Sequence, residues 1–162
     1  MIRIRRIKPD EVAAAKRLIY RVAREVYRDT RSLEGAIAYL ESRRQLQDMD
    51  DIQQSYFNSA GIFLITTDEK KMIGTGAIRK IDDGICELKR LWLLSDYHGR
   101  GLGYRMVKKL LSFARGRGYG QVRLETDPVY QKKALNFYVR LGFYEIPRYS
   151  DHMDDIAMEL IL

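Results

Sequence analysis

The segment His98-Gly99-Arg100-Gly101-Leu102-Gly103 has the residue types and spacing that most directly suggest chemistry. Its three glycines allow the backbone to turn tightly and to approach a ligand without interference from Cβ atoms. An amphipathic helix is predicted directly after the turn, and the N-terminus of a helix presents unpaired N–H groups and partial positive charge. Arg100, Arg105, Lys108 and Lys109 add cations nearby. The segment therefore predicts a site for a phosphate or pyrophosphate group.

Two well-known phosphate-binding motifs do not fit this segment. A dinucleotide fingerprint requires a third glycine where Met106 stands, and the Gly-Lys-Ser/Thr ending of a P-loop is missing. The alternative interpretation is a glycine-rich connection that binds nothing.

The stretch from Glu87 through Gly103, together with the helix after it, resembles motif A of the GNAT superfamily of N-acetyltransferases. In that family an Arg or Gln, two variable residues, Gly, one variable residue and Gly or Ala bind the pyrophosphate of CoA. The pattern falls here on His98, Gly101 and Gly103, so a histidine replaces the usual Arg or Gln. His98 is accordingly interpreted as a phosphate-side contact or a turn residue and not as a base.

A second stretch, Ala134 to Phe143, resembles motif B of the same superfamily, whose usual form is Ala, a few apolar residues, Tyr and then Gly-Phe. Many members carry Asn three positions before that Ala, and Gln131 stands there in this chain. The two motifs occur in the family's order and separation. The resemblance covers the whole chain in element order, and residues 87–143 in recognisable motifs.

The resemblance implies acetyl-CoA as cosubstrate and a mixed fold in which two parallel strands separate, so that cofactor amides replace a strand partner. The backbone of Leu91, Trp92 and Leu93 would contact the pantetheine and acetyl groups, although Trp92 also fits as core filling. The expected cofactor-binding residues are Leu91, Trp92, Leu93, His98, Gly99, Arg100, Gly101, Leu102, Gly103, Tyr104 and Gln131.

Acetyl transfer to an amine requires a base, an acid and donors for an oxyanion. Glu87, an acidic residue in an apolar and basic strand, occupies the position that the general base has in histone-acetylating members; the alternative is an ion pair with Lys89 or Arg90. Tyr138 stands at the motif B tyrosine, which protonates the departing thiolate in many members. Its alternative is a core aromatic, because it shares a helical stripe with Ala134 and Leu141.

The elements that must position these residues are predicted from hydrophobic periodicity. Their order is β, α, α, β, β, β, α, β, α, β, with one more short strand predicted at Phe143-Tyr144-Glu145. Only residues 45–59 are polar without a clear period. We therefore expect an α/β (α+β) fold in a single domain over residues 1–162. The expected architecture is GNAT-like, with a mixed central sheet of six to seven strands flanked by about four helices.

Composition restricts the class of protein. Hydrophobic residues make up 46% and charged residues 31% of 162 residues, which is typical of a globular protein and argues against disorder. The net charge of +7 favours an anionic partner, but the basic residues are scattered and no nucleic-acid module appears. We expect no nucleic acid, membrane or metal partner, a cytoplasmic protein and, by resemblance alone, a homodimer. Cys86, the single cysteine, is predicted to be a buried apolar residue.

The acceptor is the least determined part of the hypothesis. A primary amine of a small molecule, such as an amino acid, polyamine or antibiotic, comes first. Protein lysine or N-terminal acetylation is the alternative, and a non-catalytic acyl-CoA-binding module is an alternative of another class. By resemblance, the first two helices and the loop before the last strand wall the acceptor site. The aromatic and basic side chains expected there are Tyr20, Tyr27, Tyr39, Tyr144, Tyr149, Arg21, Arg24, Arg28 and Arg148.

Overall fold

The apolar patterns form seven strands and five helices in the computed structural model, which describes all residues from 1 to 162. The strands are β1 (Ile2–Arg6), β2 (Ile62–Asp68), β3 (Lys71–Lys80), β4 (Ile85–Leu93), β5 (Gln121–Thr126), β6 (Tyr144–Ile146) and β7 (Ile156–Ile161). The helices are α1 (Val12–Val26), α2 (Leu33–Ser42), α3 (Ile52–Ser55), α4 (Leu102–Gly116) and α5 (Lys132–Leu141).

All seven strands belong to one sheet in the order β1-β2-β3-β4-β5-β7-β6. Every neighbouring pair is antiparallel except β4 and β5, which are parallel. The connection between these two strands is α4, as a parallel crossover requires. The predicted mixed sheet of six to seven strands is thereby confirmed at seven. The fifth helix, beyond the four expected, is the single turn α3.

The sheet is buried on both faces because alternate residues of its central strands face different helices. Ile62 and Leu64 of β2 belong to the core cluster that contains the apolar stripe of α4. Phe63 and Ile65, the residues between them, pack with α1 and the segment after α2. The stripe of α4 is Leu102, Met106, Val107, Leu110, Leu111 and Ala114, all buried. Each fully buried large side chain of this kind contributes about 1.5–3 kcal/mol.

The parallel pairing of β4 with β5 is short. It joins only Ile85–Glu87 to Gln121–Arg123, and beyond Glu87 the strand β4 pairs with β3 alone. A register shift in β3 lies opposite this part of β4, where Arg90 has a positive φ of 56°. The expected separation of two parallel strands is therefore present, and it begins immediately after Glu87.

The structure departs from the predicted elements mainly in residues 45–59. This polar stretch forms α3 between two short 3₁₀ turns, and Met49, Ile52 and Tyr56 in it are buried. Met49 lies in the first 3₁₀ turn, Ile52 in α3 and Tyr56 between α3 and the second 3₁₀ turn, so the buried residues share no single period that a sequence pattern would show. None of the five helices combines the length and the apolarity needed to cross a membrane.

Candidate active site

A cavity of about 1070 Å³ lies where β4 and β5 separate. This volume is at the upper end of the range for small-molecule sites. Its floor is β4 from Glu87 to Trp92 and the end of β5, and its walls come from α1, residues 43–48, α5 and residues 152–155. Both predicted catalytic residues, Glu87 and Tyr138, line the cavity.

Glu87 is the last residue of the parallel ladder between β4 and β5. Its side chain is only 12% exposed, with Oε1 3.6 Å from the Nζ of Lys89. The hydroxyl of Tyr149 donates a hydrogen bond to Oε2 at 2.6 Å. The carboxylate is therefore ion-paired with Lys89, as one interpretation predicted, and also lines the cavity, as the other required. Arg90, the other predicted partner, binds Asp48 instead.

Tyr138 lies on α5 with its ring against Phe143, at a centroid separation of 5.7 Å. The residue is buried, and its hydroxyl makes no hydrogen bond within the protein. Burial raises the pKa of Tyr138, so the hydroxyl keeps its proton at physiological pH. A protonated phenol and a carboxylate thus line one cavity, which is an arrangement able to donate and to accept a proton.

The glycine turn forms a row of free donors. Gly99 and Gly101 have φ values of 76° and 73°, and a Cβ at either position would meet no atom within 4 Å. From Gly99 to Tyr104 no backbone N–H donates to a backbone carbonyl. These groups lie at the N-terminus of the 15-residue helix α4. Unpaired amides in successive positive-φ and helical conformations form a concave site for an anion.

Several of the predicted cofactor side chains point away from this turn. The Nε2 of His98 lies 3.0 Å from the carbonyl oxygen of Leu93, which fixes the turn to the end of β4. Arg100 donates to the carbonyl of Asp96 at 3.1 Å. Leu102 is buried in the core, so only its backbone is available to a ligand, and Tyr104 is exposed.

The remaining predicted cofactor residues divide between the cavity and its edge. Leu91, Trp92 and Gln131 line the cavity, whereas Leu93 does not. The Oε1 of Gln131 accepts a hydrogen bond of 3.1 Å from the backbone N–H of Asp127. Gln131 thereby fixes the turn between β5 and α5.

Comparison with known proteins identifies the family. The Acetyltransferase (GNAT) family matches residues 20–143, which is most of the chain. The chain belongs to this family. Human N-acetyltransferase 8B is 35% identical over 102 residues, which cover 59% of this chain and 44% of that protein. N-acetylaspartate synthetase of Xenopus tropicalis is 32% identical over 108 residues, covering 65% and 40%. This chain thus spans about half the length of the curated relatives it matches.

The fold agrees with this assignment. The crystal structure of PaiA N-acetyltransferase from Thermoplasma acidophilum, in complex with coenzyme A, superposes with a TM-score of 0.80. The match covers 100% of this chain and 99% of the other at 20% sequence identity. The GNAT-like sheet predicted from the sequence is confirmed.

A buried ion pair in this GNAT domain was not predicted. Arg90 donates from Nε to Oδ2 of Asp48 at 3.1 Å, and the hydroxyl of Tyr56 donates to the same carboxylate. Burial alone would raise the pKa of Asp48, but the hydrogen bond and charge of Arg90 outweigh it and hold the pKa below its usual value. The pair joins the segment after α2 to β4 at the positive-φ residue. The one sequence signal is a charged Arg90 within an apolar strand.

The predicted acceptor wall is partly wrong. Tyr20, Tyr27 and Arg24 line the cavity, whereas six of the nine expected side chains do not. Three arginines that were not predicted, Arg43, Arg44 and Arg79, line the cavity, and none has a carboxylate within ion-pair distance. The six outside it are Tyr39, Tyr144, Tyr149, Arg21, Arg28 and Arg148.

Two further groups were considered as reactive centres. Cys86 is fully buried, and burial raises its pKa to about 12, so its thiol is poorly suited to be a nucleophile. At the rim of the cavity, Nδ1 of His152 lies 3.6 Å from Glu125 and 3.9 Å from Asp155. His152 is largely exposed and belongs to the loop before β7.

Proposed function

We propose that this protein is an acetyl-CoA-dependent N-acetyltransferase that moves an acetyl group directly to a primary amine of a small molecule. In this proposal Glu87 is the general base and Tyr138 the general acid. The observation that carries it is that both side chains line one cavity, at the point where β4 and β5 separate. Membership of the GNAT family supports the reaction class.

The residues present fit acetyl-CoA at two places. The free N–H groups from Gly99 to Tyr104 would hold its pyrophosphate, with Arg105 and Lys108 nearby. The part of β4 after Glu87 has no strand partner on its β5 side, so its backbone would pair with the amides of the pantetheine arm. The Thermoplasma structure of the same fold was solved in complex with coenzyme A. Acetyl-CoA supplies the acetyl thioester.

The reaction needs an unprotonated amine, although a lysine-like amine has a pKa of about 10.4 in water. In our proposal Glu87 accepts the amine proton, directly or through a water, while the nitrogen attacks the thioester carbonyl carbon. The new C–N bond replaces the C–S bond, and Tyr138 gives its proton to the departing thiolate sulfur. Its raised pKa, caused by burial, ensures that this proton is present before the reaction.

We infer that the acceptor carries a carboxylate as well as an amine. Arg43, Arg44 and Arg79 are cations of the cavity that lack an acidic partner, and an arginine fork binds a carboxylate with two parallel hydrogen bonds. The name of one relative, N-acetylaspartate synthetase, supports an amino-acid product within this family. An amino acid is therefore our first acceptor class.

The test is release of CoA thiol from acetyl-CoA across amino acids, polyamines, aminoglycosides and lysine or N-terminal peptides. Tyr138→Phe and Glu87→Gln are measured beside the wild type, with Tyr144→Phe as a control. Tyr144 lies outside the cavity and its hydroxyl binds Glu159. General acid or base catalysis typically contributes 10²–10⁴-fold, so we expect kcat to fall by about 100-fold or more in the first two variants alone.

Two results would overturn the proposal. Acetyl-CoA that raises the melting temperature without acceptor-dependent thiol release, on any member of the panel, would make the protein a binding module. Acetyl-CoA that neither raises the melting temperature nor reacts would remove the cosubstrate assignment itself. Release that depends on peptides alone would replace the small-molecule acceptor with a protein one.

A further inference from the structure

The carboxylate of Glu87 belongs to a row of polar side chains that crosses the sheet. Arg79 of β3 is in register with Glu87 of β4, and Glu87 is in register with Arg123 of β5. Arg123 is in turn paired with Glu159 of β7, and Glu159 with Tyr144 of β6. Residues in register on neighbouring strands lie on the same face of the sheet. One row of alternating charge therefore passes under the cavity, with Glu87 between two arginines.

Arg123 is not the ion-pair partner of Glu87. Its Nε donates to Oε2 of Glu159 at 2.9 Å, on the side away from the cavity. Glu159 also accepts hydrogen bonds from Nε2 of Gln121 at 3.2 Å and from the hydroxyl of Tyr144 at 2.6 Å, so its position does not depend on Tyr144 alone. The guanidinium of Arg123 lies over the ring of Tyr149, with 5.5 Å between its Cζ and the ring centroid. Arg123 thus fixes the ring of Tyr149 but makes no ion pair with Glu87, whose hydrogen-bond donor is the hydroxyl of Tyr149.

Tyr149 reaches Glu87 from the loop between β6 and β7. Its hydroxyl donates to Oε2 of Glu87 at 2.6 Å, and the ring does not line the cavity. Oε1 is 3.6 Å from Lys89, beyond hydrogen-bond distance, so it is the oxygen without a hydrogen bond. The next residue of the loop, Ser150, donates to Glu125, which holds the loop to β5 as well.

We propose that Tyr149 is a positioning residue for Glu87, which holds Oε2 so that Oε1 faces the acceptor amine. The inference rests on the proposed role of Glu87 as general base. The carboxylate of a glutamate is connected to the backbone through three rotatable bonds, so its orientation varies unless one oxygen is fixed. Catalysis by a base depends on its geometry toward the proton it accepts. Tyr149 acts through Glu87 and does not touch the reacting atoms.

Other charged side chains also surround Glu87. Lys89 lies on its own strand, Arg79 on β3, Arg123 and Glu125 on β5, and the facing wall of the cavity adds further charged groups. None of these is changed when only the hydroxyl of Tyr149 is removed. The wall groups are Arg24, Asp29, Arg43, Arg44, Asp48, Asp127, His152, Asp154 and Asp155.

The experiment compares Tyr149→Phe with Tyr144→Phe. Both substitutions delete one hydroxyl that donates to a carboxylate at 2.6 Å, on the same face of the sheet. In Tyr149→Phe we expect kcat to fall about tenfold with the KM for acetyl-CoA unchanged. Tyr144→Phe should keep the wild-type kcat and KM.

The outcomes separate this inference from the proposed function. An unchanged kcat in Tyr149→Phe, in an enzyme that acetylates an amine, would overturn the positioning role alone. Where no acceptor turns over, the proposed function fails, and the contact is tested with ¹³Cζ-labelled tyrosine by NMR. Burial and then the charge of Glu87 raise the pKa of Tyr149, so Glu87→Gln should shift its resonance. A Tyr149 resonance that does not respond to Glu87→Gln would overturn the contact itself.

Discussion

At the scale of single residues, the ion pair between Arg90 and Asp48 shows how strongly one buried charge depends on another. The carboxylate of Asp48 is 6% exposed and the guanidinium of Arg90 is 19% exposed. Removing one member of a buried pair leaves the other charge without compensation, which costs about 3–5 kcal/mol. We therefore predict that Arg90→Met loses about that much free energy of unfolding in urea denaturation.

The decisive comparison is between Arg90→Met and a double variant in which Asp48 is also uncharged. Arg90→Met combined with Asp48→Asn removes both charges and keeps an acceptor for the hydroxyl of Tyr56, so most of the lost stability should return. Lys80→Met, which breaks an exposed pair with Asp83, should change stability little. An Arg90→Met protein as stable as the wild type would mean that solvation by water, and not the ion pair with Arg90, stabilises the charge of Asp48.

At the scale of elements, the glycines of the turn before α4 meet two requirements: they adopt a positive φ, and they leave open space where a Cβ would lie. Gly101 has a φ of 73° with open space around its Cβ position, so alanine would be strained in its backbone but would clash with nothing in the protein. The strain amounts to about 1–2 kcal/mol. The added methyl group would also enter the space that we assign to pyrophosphate. We predict that Gly101→Ala lowers the melting temperature and weakens CoA binding, measured by calorimetry, by tenfold or more, ~1.4 kcal/mol.

Gly116 is the matched control for this turn. It lies within α4, it also has no atom within 4 Å of its Cβ position, and its φ is not positive. Gly116→Ala should therefore raise stability by about 0.5–1 kcal/mol without affecting CoA binding. Equal CoA affinity in both variants would show that the pyrophosphate lies elsewhere.

A second prediction at this scale concerns the connection of β1 to α1. Arg5 of β1 binds Glu11 at 2.6 and 2.9 Å, which lowers the pKa of Glu11 from 4.5 to about 2. A depressed carboxyl pKa contributes stability above the unfolded value, and this stability is lost as pH falls through the folded value. Arg5 is 37% exposed, so solvent screening reduces the contribution to about 1 kcal/mol.

Glu11→Gln should therefore be less stable than the wild type at pH 7, and the difference should disappear between about pH 4.5 and pH 2. Thermal unfolding at a series of pH values measures it. Glu34→Gln is the control, because Glu34 binds Arg17 at the same distance of 2.6 Å but on the exposed surface. A difference between Glu11→Gln and wild type that stays constant down to pH 2 would contradict the ion-pair explanation.

The helices and strands also show which parts of the structure could be predicted from the sequence. The apolar stripe of α4 is a local signal, and the strands and helices predicted from hydrophobic periodicity occur in the predicted order. The contact between Tyr149 and Glu87 joins residues 62 positions apart. It depends on where a loop without periodicity folds back over the sheet. Local patterns therefore predicted the elements, and the family resemblance indicated residues of the cavity floor, but neither predicted which side chains complete the cavity.

At the scale of the whole molecule, the cavity belongs to no single element. Glu87 and Arg79 come from the sheet, Tyr138 from α5, and Arg43 and Arg44 from the segment after α2. The proposed base and acid, Glu87 and Tyr138, line the cavity where β4 and β5 separate. The exposed arginines come from a segment whose structure the sequence did not predict. Because separate elements supply chemistry and charge, a change in the arginines should alter acceptor choice without altering the reaction.

Arg44→Ala tests this separation. Arg44 is exposed to the cavity and has no carboxylate partner, so its removal should not affect folding. A hydrogen bond to a charged group contributes about 1.5–3 kcal/mol, so the KM for a carboxylate-bearing amine should rise about 10- to 100-fold. Two constants should stay unchanged in Arg44→Ala: the KM for the corresponding amine without a carboxylate and the KM for acetyl-CoA. In the control Arg21→Ala, all three KM values should equal those of the wild type. Equal increases for both amines would mean that Arg44 acts through the overall field of the cavity, and the acceptor would then not be recognised by its carboxylate.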